Sequence, residues 1–213
     1  MNILFAGTTF NSSKILNFLH EADEINVIGV ITKPDKPGKR GSNLIESPVS
    51  TAARNADINL FKPEQLDCID FKETISKLDV DILVVVAYGK ILPEWMLNIP
   101  KMMPINIHYS LLPCYRGSSP IQASIINGDK HTGVTFMKMN NSLDGGEIIK
   151  KFECEILHDN NKTTLERKLT EISIKEISNV LKLIKTKKVK LLDQKTEEVS
   201  YCKKILKSDG LTN

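Results

Sequence analysis

A strand that stops abruptly beside two polar side chains leaves few folds open to this chain. Ile105 and Ile107 alternate with Asn106 and His108, a period of two that belongs to a β-strand. Residues two apart on a strand point to the same face, so Asn106 and His108 stand side by side. The strand breaks at Ser110-Leu111-Leu112-Pro113, which leaves both polar groups at its carboxyl end, where ligands bind in open α/β sheets. An amide NH2 and an imidazolium N–H aimed at one point can stabilise an oxyanion. The same pair also suits a polar strand end packed against a turn.

The flanking segments supply the sheet. Ile3–Ala6 reads as a buried strand, followed by the turn Gly7-Thr8-Thr9-Phe10 and a helix with Ile15, Leu16, Phe18 and Leu19 on one side. Backbone N–H groups at such a helix start can hold an anion, but the turn is not GxGxxG, and plain structural use of Gly7 is the expectation. Asn26–Thr32 is a second strand, Ser47 caps a short helix with Pro48 in its first turn, and Asn59–Phe61 is a brief strand. Phe71–Leu78 reads as helix. Asp81–Ala87, Asp-Ile-Leu-Val-Val-Val-Ala, is the most clearly buried strand and ends at Tyr88-Gly89-Lys90-Ile91-Leu92-Pro93. A helix is expected from Pro120 to about Asn127. Thr132–Met139 and Glu147–Glu155 pair as an antiparallel hairpin around the turn Asn140–Gly146. Thr163 reads as the N-cap of a long helix running to about Ile184, with Glu166 completing a capping box. Strands alternating with helices imply an α/β fold: a Rossmann-like, mostly parallel sheet flanked by helices, with right-handed crossovers and an appended antiparallel hairpin.

Composition serves mainly to exclude. A chain of 213 residues makes one domain or two, and 41% hydrophobic with 26% charged residues is ordinary for a soluble globular protein. Cys68, Cys114, Cys154 and Cys202 are widely spaced with no metal-ligand pattern, so reduced cytosolic thiols are expected. Met1–Gly7 reads as a strand rather than a signal peptide, and no apolar run approaches the roughly 18 residues of a membrane helix. A soluble, cytoplasmic protein is expected; a monomer is also the expectation, although nothing in the composition sets the oligomeric state. The net charge of +3 is mild, but Lys33, Lys36, Lys39 and Arg40 crowd one Pro- and Gly-rich loop against a single acid, Asp35. Such a run is either a solvated face or a surface for a phosphate backbone.

The 15-residue stretch from Asn106 to Pro120 resembles the Asn-x-His…Ser-Leu-Leu-Pro…Arg-Gly signature of the folate-dependent formyltransferases, which move a formyl group from 10-formyltetrahydrofolate to an amine. Leu143-Asp144-Gly145-Gly146 is similar to the Leu-Asp-x-Gly turn of that family. The resemblance implies catalysis by Asn106, His108 and Asp144. Asn106 and protonated His108 would hold the oxyanion, while Asp144 would orient His108 and relay the amine's proton through water. It implies folate contacts from Ser110, Leu111, Leu112 and Pro113 and from Gly89, Lys90, Ile91 and Leu92, with 10-formyltetrahydrofolate as co-substrate and no metal. The loop from Lys33 through Ser47-Pro48-Val49 resembles the inserted loop of family members that formylate initiator methionyl-tRNA. That implies initiator methionyl-tRNA as acceptor, with Lys36, Lys39 and Arg40 as tRNA contacts. Glycinamide ribonucleotide or an amino-sugar nucleotide remains open as acceptor, as does a non-catalytic folate- or RNA-binding module. The tail Tyr201–Gly210 resembles the linker into the family's C-terminal OB-like domain. Residues 1–200 are therefore expected to form the catalytic domain and 201–213 the start of a linker, the OB-like domain being absent.

Overall fold

Hydrophobic alternation decides how the strands stack. In the computed structural model, which describes residues 1–38, 44–206 and 209, β1 (Asn2–Gly7) leads into α1 (Phe10–Glu21), β2 (Asn26–Ile31) and a small ribbon of β3 (Lys36–Pro37) and β4 (Leu44–Ile45). Next come α2 (Pro48–Asn55), β5 (Leu60–Phe61), α3 (Ile69–Ser76), β6 (Ile82–Val86), α4 (Glu94–Leu97) and β7 (Met103–His108). The chain continues through β8 (Arg116–Gly117), α5 (Pro120–Ile126), β9 (His131–Lys138), β10 (Ile148–Glu155) and α6 (Lys162–Lys185), then a 3-10 turn at Thr196–Glu198 and β11 (Tyr201–Cys202). Among the described residues the main sheet has seven strands in the order β10-β9-β7-β6-β1-β2-β5. The run from β7 to β5 is parallel, and β9 is antiparallel to both β7 and β10. The parallel sheet with its antiparallel extension is as the alternation of elements implies.

β6 shows why its apolar run needs cover on both faces. Ile82, Val84 and Val86 enter the core shared with α1, α2 and α6, whereas Leu83 and Val85 enter the core shared with α3 and α4. β1 divides likewise, Ile3 and Phe5 against Leu4 and Ala6. Each buried aliphatic side chain of this size is worth about 1.5–3 kcal/mol relative to exposure, so both faces of the strand contribute to holding the sheet. The sheet core is therefore rigid, and its strand ends are fixed platforms.

Two local expectations are corrected. The long helix is capped by Asn161, not Thr163: the Asn161 side chain accepts from the N–H groups of Thr163 and Thr164, and the Thr164 hydroxyl answers from N3. Asn is among the strongest N-caps, and the earlier start lets Lys162 pair with Glu166 one turn on, at 2.6 Å. Helix α3 begins at Ile69 and ends at Ser76, two residues ahead of the Phe71–Leu78 expectation at each end. The cap at Ser47 with Pro48 after it is as read from the sequence, Ser47 Oγ accepting from Ser50 N at 2.9 Å.

Candidate active site

Asn106 and His108 lie at the carboxyl end of β7, between β6 on one side and the antiparallel β9 on the other. Both side chains face one carboxylate. Asn106 Nδ2 donates to Asp144 Oδ1 at 3.3 Å, and His108 Nδ1 lies 3.7 Å from Asp144 Oδ2. Asp144 sits in the turn between β9 and β10 at φ 45°, a left-handed conformation that non-glycine residues adopt uncommonly. A second hydrogen-bond donor, the backbone N–H of Gly117, reaches Asp144 Oδ2 at 2.8 Å. The carboxylate thus gathers β7, β8 and its own turn at one point.

The imidazole is also held from its far side. His108 Nε2 lies 2.9 Å from the carbonyl oxygen of Tyr115, and the ring is only 6% exposed. A carbonyl accepts and cannot donate, so Nε2 carries the proton in that bond. The same carbonyl receives the Cys202 thiol at 3.4 Å, and burial first of all pushes that thiol above its usual range. Cys202 is thereby a neutral donor, not a nucleophile. Tyr115 itself has φ 59°. Its N–H donates to Ser200 Oγ at 2.9 Å and its phenol to Asp129 Oδ2 at 2.6 Å, so the carbonyl has little freedom.

Ser110 to Pro113 form a tight corner beside this pair. The Thr135 hydroxyl donates to Ser110 O at 2.6 Å and accepts from Leu112 N at 3.1 Å, while Ser110 Oγ donates to Cys114 O at 2.6 Å. Leu112 and Pro113 are buried and Leu111 is half-buried. At the neighbouring strand end, Gly89 has φ 73° and the Tyr88 carbonyl accepts from Thr8 Oγ1 at 2.9 Å. The turn is therefore tied to the end of β1. Lys90 spends its ammonium on the carbonyls of Pro63 and Glu64, at 3.0 and 2.8 Å. Leu92 is buried, and Ile91 is 89% exposed. The two candidate folate segments thus sit at the ends of adjacent strands β6 and β7.

The basic loop meets this turn through Lys33, whose ammonium lies against Gly89. Burial lowers the Lys33 pKa first, and Lys36, Lys90 and Lys204 add like-charge repulsion. Lys36 is exposed on β3; Lys39 and Arg40 lie outside the described residues. The acids beside the loop are already paired: Asp35 and Glu46 both bind Lys62, at 2.8 and 3.2 Å, and Glu46 also pairs with Arg54. Among the described residues no group of three His, Cys, Asp or Glu side chains could hold a metal ion, and no helix is long and apolar enough to cross a membrane.

Four contacts at the site have no sequence signal: Thr135, the Tyr115 carbonyl, Ser200 and Gln194. Gln194 Nε2 donates to the carbonyls of Asp144 and Gly146 at 2.8 and 2.7 Å. Its Oε1 accepts from Arg116. β11 pairs with β8, Tyr201 opposite Arg116 and Cys202 opposite Gly117, which brings the Cys202 thiol to the Tyr115 carbonyl.

A strand-end amide and imidazole facing a turn carboxylate, on a parallel sheet with an antiparallel extension, belong to a known class. The chain is a member of the formyl transferase family, which matches residues 1–181, and that family uses a formyl-folate as donor. Within it the chain is similar to methionyl-tRNA formyltransferases. It is 43% identical over 211 residues to that of Sulfurihydrogenibium sp. (strain YO3AOP1), covering 99% of this chain and 68% of the relative. It is 40% identical over 211 residues to that of Buchnera aphidicola subsp. Acyrthosiphon pisum (strain Tuc7), covering 99% and 67%. Among solved structures, a phosphoribosylglycinamide formyltransferase from Anaplasma phagocytophilum shares the fold with a TM-score of 0.72 at 23% identity, over 96% of this chain and 98% of that one. A sugar 3N-formyl transferase crystallised with dTDP and 5-N-formyl-THF has a TM-score of 0.71 at 21% identity, over 95% and 69%.

Proposed function

We propose that the chain transfers the formyl group of 10-formyltetrahydrofolate to the α-amino group of initiator methionyl-tRNA, with Asn106, His108 and Asp144 as the catalytic residues. The observation that carries this reading is the convergence of Asn106 and His108 on Asp144 within 3.3 and 3.7 Å, in a chain about 40% identical to enzymes of that name.

The reaction moves an acyl group between two nitrogens. An α-amino group has a pKa of about 8 in peptides, so a useful fraction is neutral at pH 7 and attacks the formyl carbon without a strong base. The barrier lies in the tetrahedral oxyanion and in moving a proton from the attacking nitrogen to the departing N10. Asn106 has two amide hydrogens; one faces Asp144 and the other remains for the oxyanion. As the formyl oxygen gains charge it becomes a stronger acceptor than the neutral Tyr115 carbonyl, and His108 exchanges one acceptor for the other. A contact made only as charge develops lowers the barrier rather than tightening ground-state binding. Asp144, anchored by Gly117 N–H, relays the amine proton through water. No side chain is acylated, so Cys114 and Cys202 need not act as nucleophiles.

Folate contacts are assigned to the corner Ser110–Pro113 and to the backbone of Gly89, Lys90, Ile91 and Leu92. Lys36, Lys39 and Arg40 are assigned to the tRNA; among the described residues the neighbouring acids Asp35 and Glu46 are already paired with Lys62 and Arg54. Residues 1–200 are taken as the catalytic unit, with β11 lying along its rim. The test is formyl transfer by the purified chain to methionyl-tRNA, glycinamide ribonucleotide and amino-sugar nucleotides in parallel. Turnover of methionyl-tRNA alone is expected; preferential turnover of either small acceptor would replace this assignment.

A further inference from the structure

Gln194 stands 50 residues from Asp144 in sequence, yet its side-chain amide is saturated by the site. Both amide hydrogens go to carbonyls of the catalytic turn, Asp144 O at 2.8 Å and Gly146 O at 2.7 Å. Both lone pairs of Oε1 are taken by Arg116, from Nε at 3.0 Å and Nη2 at 2.8 Å. The partners dictate the orientation of the amide: a flip would set an oxygen against two carbonyls and an NH2 against a guanidinium.

Asp144 needs such a clamp. Its φ of 45° is a conformation that persists in a non-glycine residue only when its surroundings enforce it, and that backbone angle aims the carboxylate back at Asn106, His108 and Gly117 N. The Gly117–Asp144 bond joins β8 to the turn through the Asp144 side chain. Gln194 joins the same two segments through the turn's main chain and the Arg116 guanidinium. Arg116 Nη1 in turn lies 3.2 Å from where a Cβ on Gly145 would stand, so the turn is bounded on both sides.

We propose that Gln194 is a positioning residue for formyl transfer, pinning the Asp144 turn in its left-handed conformation and so aiming the carboxylate. The inference rests on the reading that Asp144 takes part in the reaction. A reacting group displaced by ~1 Å can lose about 10²-fold in rate, so the clamp should register in kcat rather than in folate binding.

The experiment uses three single variants and one double variant of the whole chain. Gln194→Glu keeps the shape and the acceptor for Arg116 but removes both donors to the turn, and Gln194→Ala removes the clamp entirely. Each is expected to lower kcat for methionyl-tRNA formylation about tenfold or more, with KM for 10-formyltetrahydrofolate within about twofold. Amide hydrogen exchange should quicken at Gly145 and Gly146 and stay unchanged at the buried strand β1. Gln194→Ala placed on Asp144→Ala should cost nothing further, since both act through one group. Retention of more than half the wild-type kcat by both Gln194 variants, or a full multiplicative loss on the Asp144→Ala background, would overturn the proposal. Where Asp144→Ala leaves too little activity for that comparison, unchanged exchange at Gly145 and Gly146 in Gln194→Glu overturns it. If Asp144→Ala itself retained wild-type activity, the failure would belong to the catalytic assignment instead.

Discussion

The carbonyl oxygen of Tyr115 lies 2.9 Å from His108 Nε2, so the imidazole bridges a neutral acceptor and the Asp144 carboxylate, 3.7 Å from Nδ1. Two results are expected. In the free chain, 15N spectra of the His108 ring should show Nε2 carrying a proton; a neutral ring protonated only on Nδ1 would contradict the bond. In kinetics, Asn106→Ala, His108→Ala and Asp144→Ala should each lower kcat by about 10² or more while folate affinity holds. Full activity in Asp144→Ala would remove it from the trio.

Gly117 illustrates how the rim depends on a missing side chain. Its φ is 120°, and a Cβ there would collide with the Cys202 carbonyl. Gly117→Ala should therefore separate β8 from β11 and cost about 1–3 kcal/mol, read as a lower Tm. Because Gly117 N holds Asp144 Oδ2, kcat should fall with it. Gly128 also has positive φ, 69°, but open space around its Cβ position, so Gly128→Ala should keep its activity. Equal kcat losses at the two positions would refute the rim argument.

Among the described residues Tyr88 carries a buried side-chain oxygen without a hydrogen-bond partner. Removing an unsatisfied buried hydroxyl relieves a desolvation penalty of about 1–3 kcal/mol, so Tyr88→Phe should raise Tm or leave it unchanged. Burial raises the Tyr88 phenol to about 12 from 10.0. Between those values the unfolded chain has lost the proton that the folded chain keeps, so this tyrosine makes wild-type stability fall with rising pH there. Tyr88→Phe should flatten that part of the profile. A destabilised variant would mean that the hydroxyl has a partner in solution.

Lys36 is exposed on β3 and is the member of the basic trio within the described residues. Lys36→Ala should raise KM for methionyl-tRNA and reduce its salt dependence by about one phosphate contact, with hydrolysis of 10-formyltetrahydrofolate in the absence of tRNA unaltered. Parallel loss in both assays would make the loop's role structural. Arg40→Ala is expected to behave in the same way.

The sequence by itself determined the layered sheet, because burial on alternate faces leaves a readable period: Ile82, Val84 and Val86 go to one core and Leu83 and Val85 to the other. It also determined that Asn106 and His108 share a face, since strand geometry requires it; Asp144 was singled out by the resemblance of Leu143-Asp144-Gly145-Gly146 to the family's turn. Helix starts were less legible. Asn161 and Thr163 are both competent caps, and the helix took Asn161, whose side chain binds two N–H groups at once. What only the tertiary structure decided is how the trio is held. Thr135 braces Ser110 from 25 residues away, Ser200 holds Tyr115 from 85 away, and Gln194 grips Asp144 from 50 away. Thr135 lies in a strand the sequence shows, but nothing there marks its hydroxyl as a brace; Ser200 and Gln194 lie in segments with no period and no turn signature. A hydrogen bond between residues distant in the chain depends on where folding brings the two backbones, and local sequence carries no trace of it.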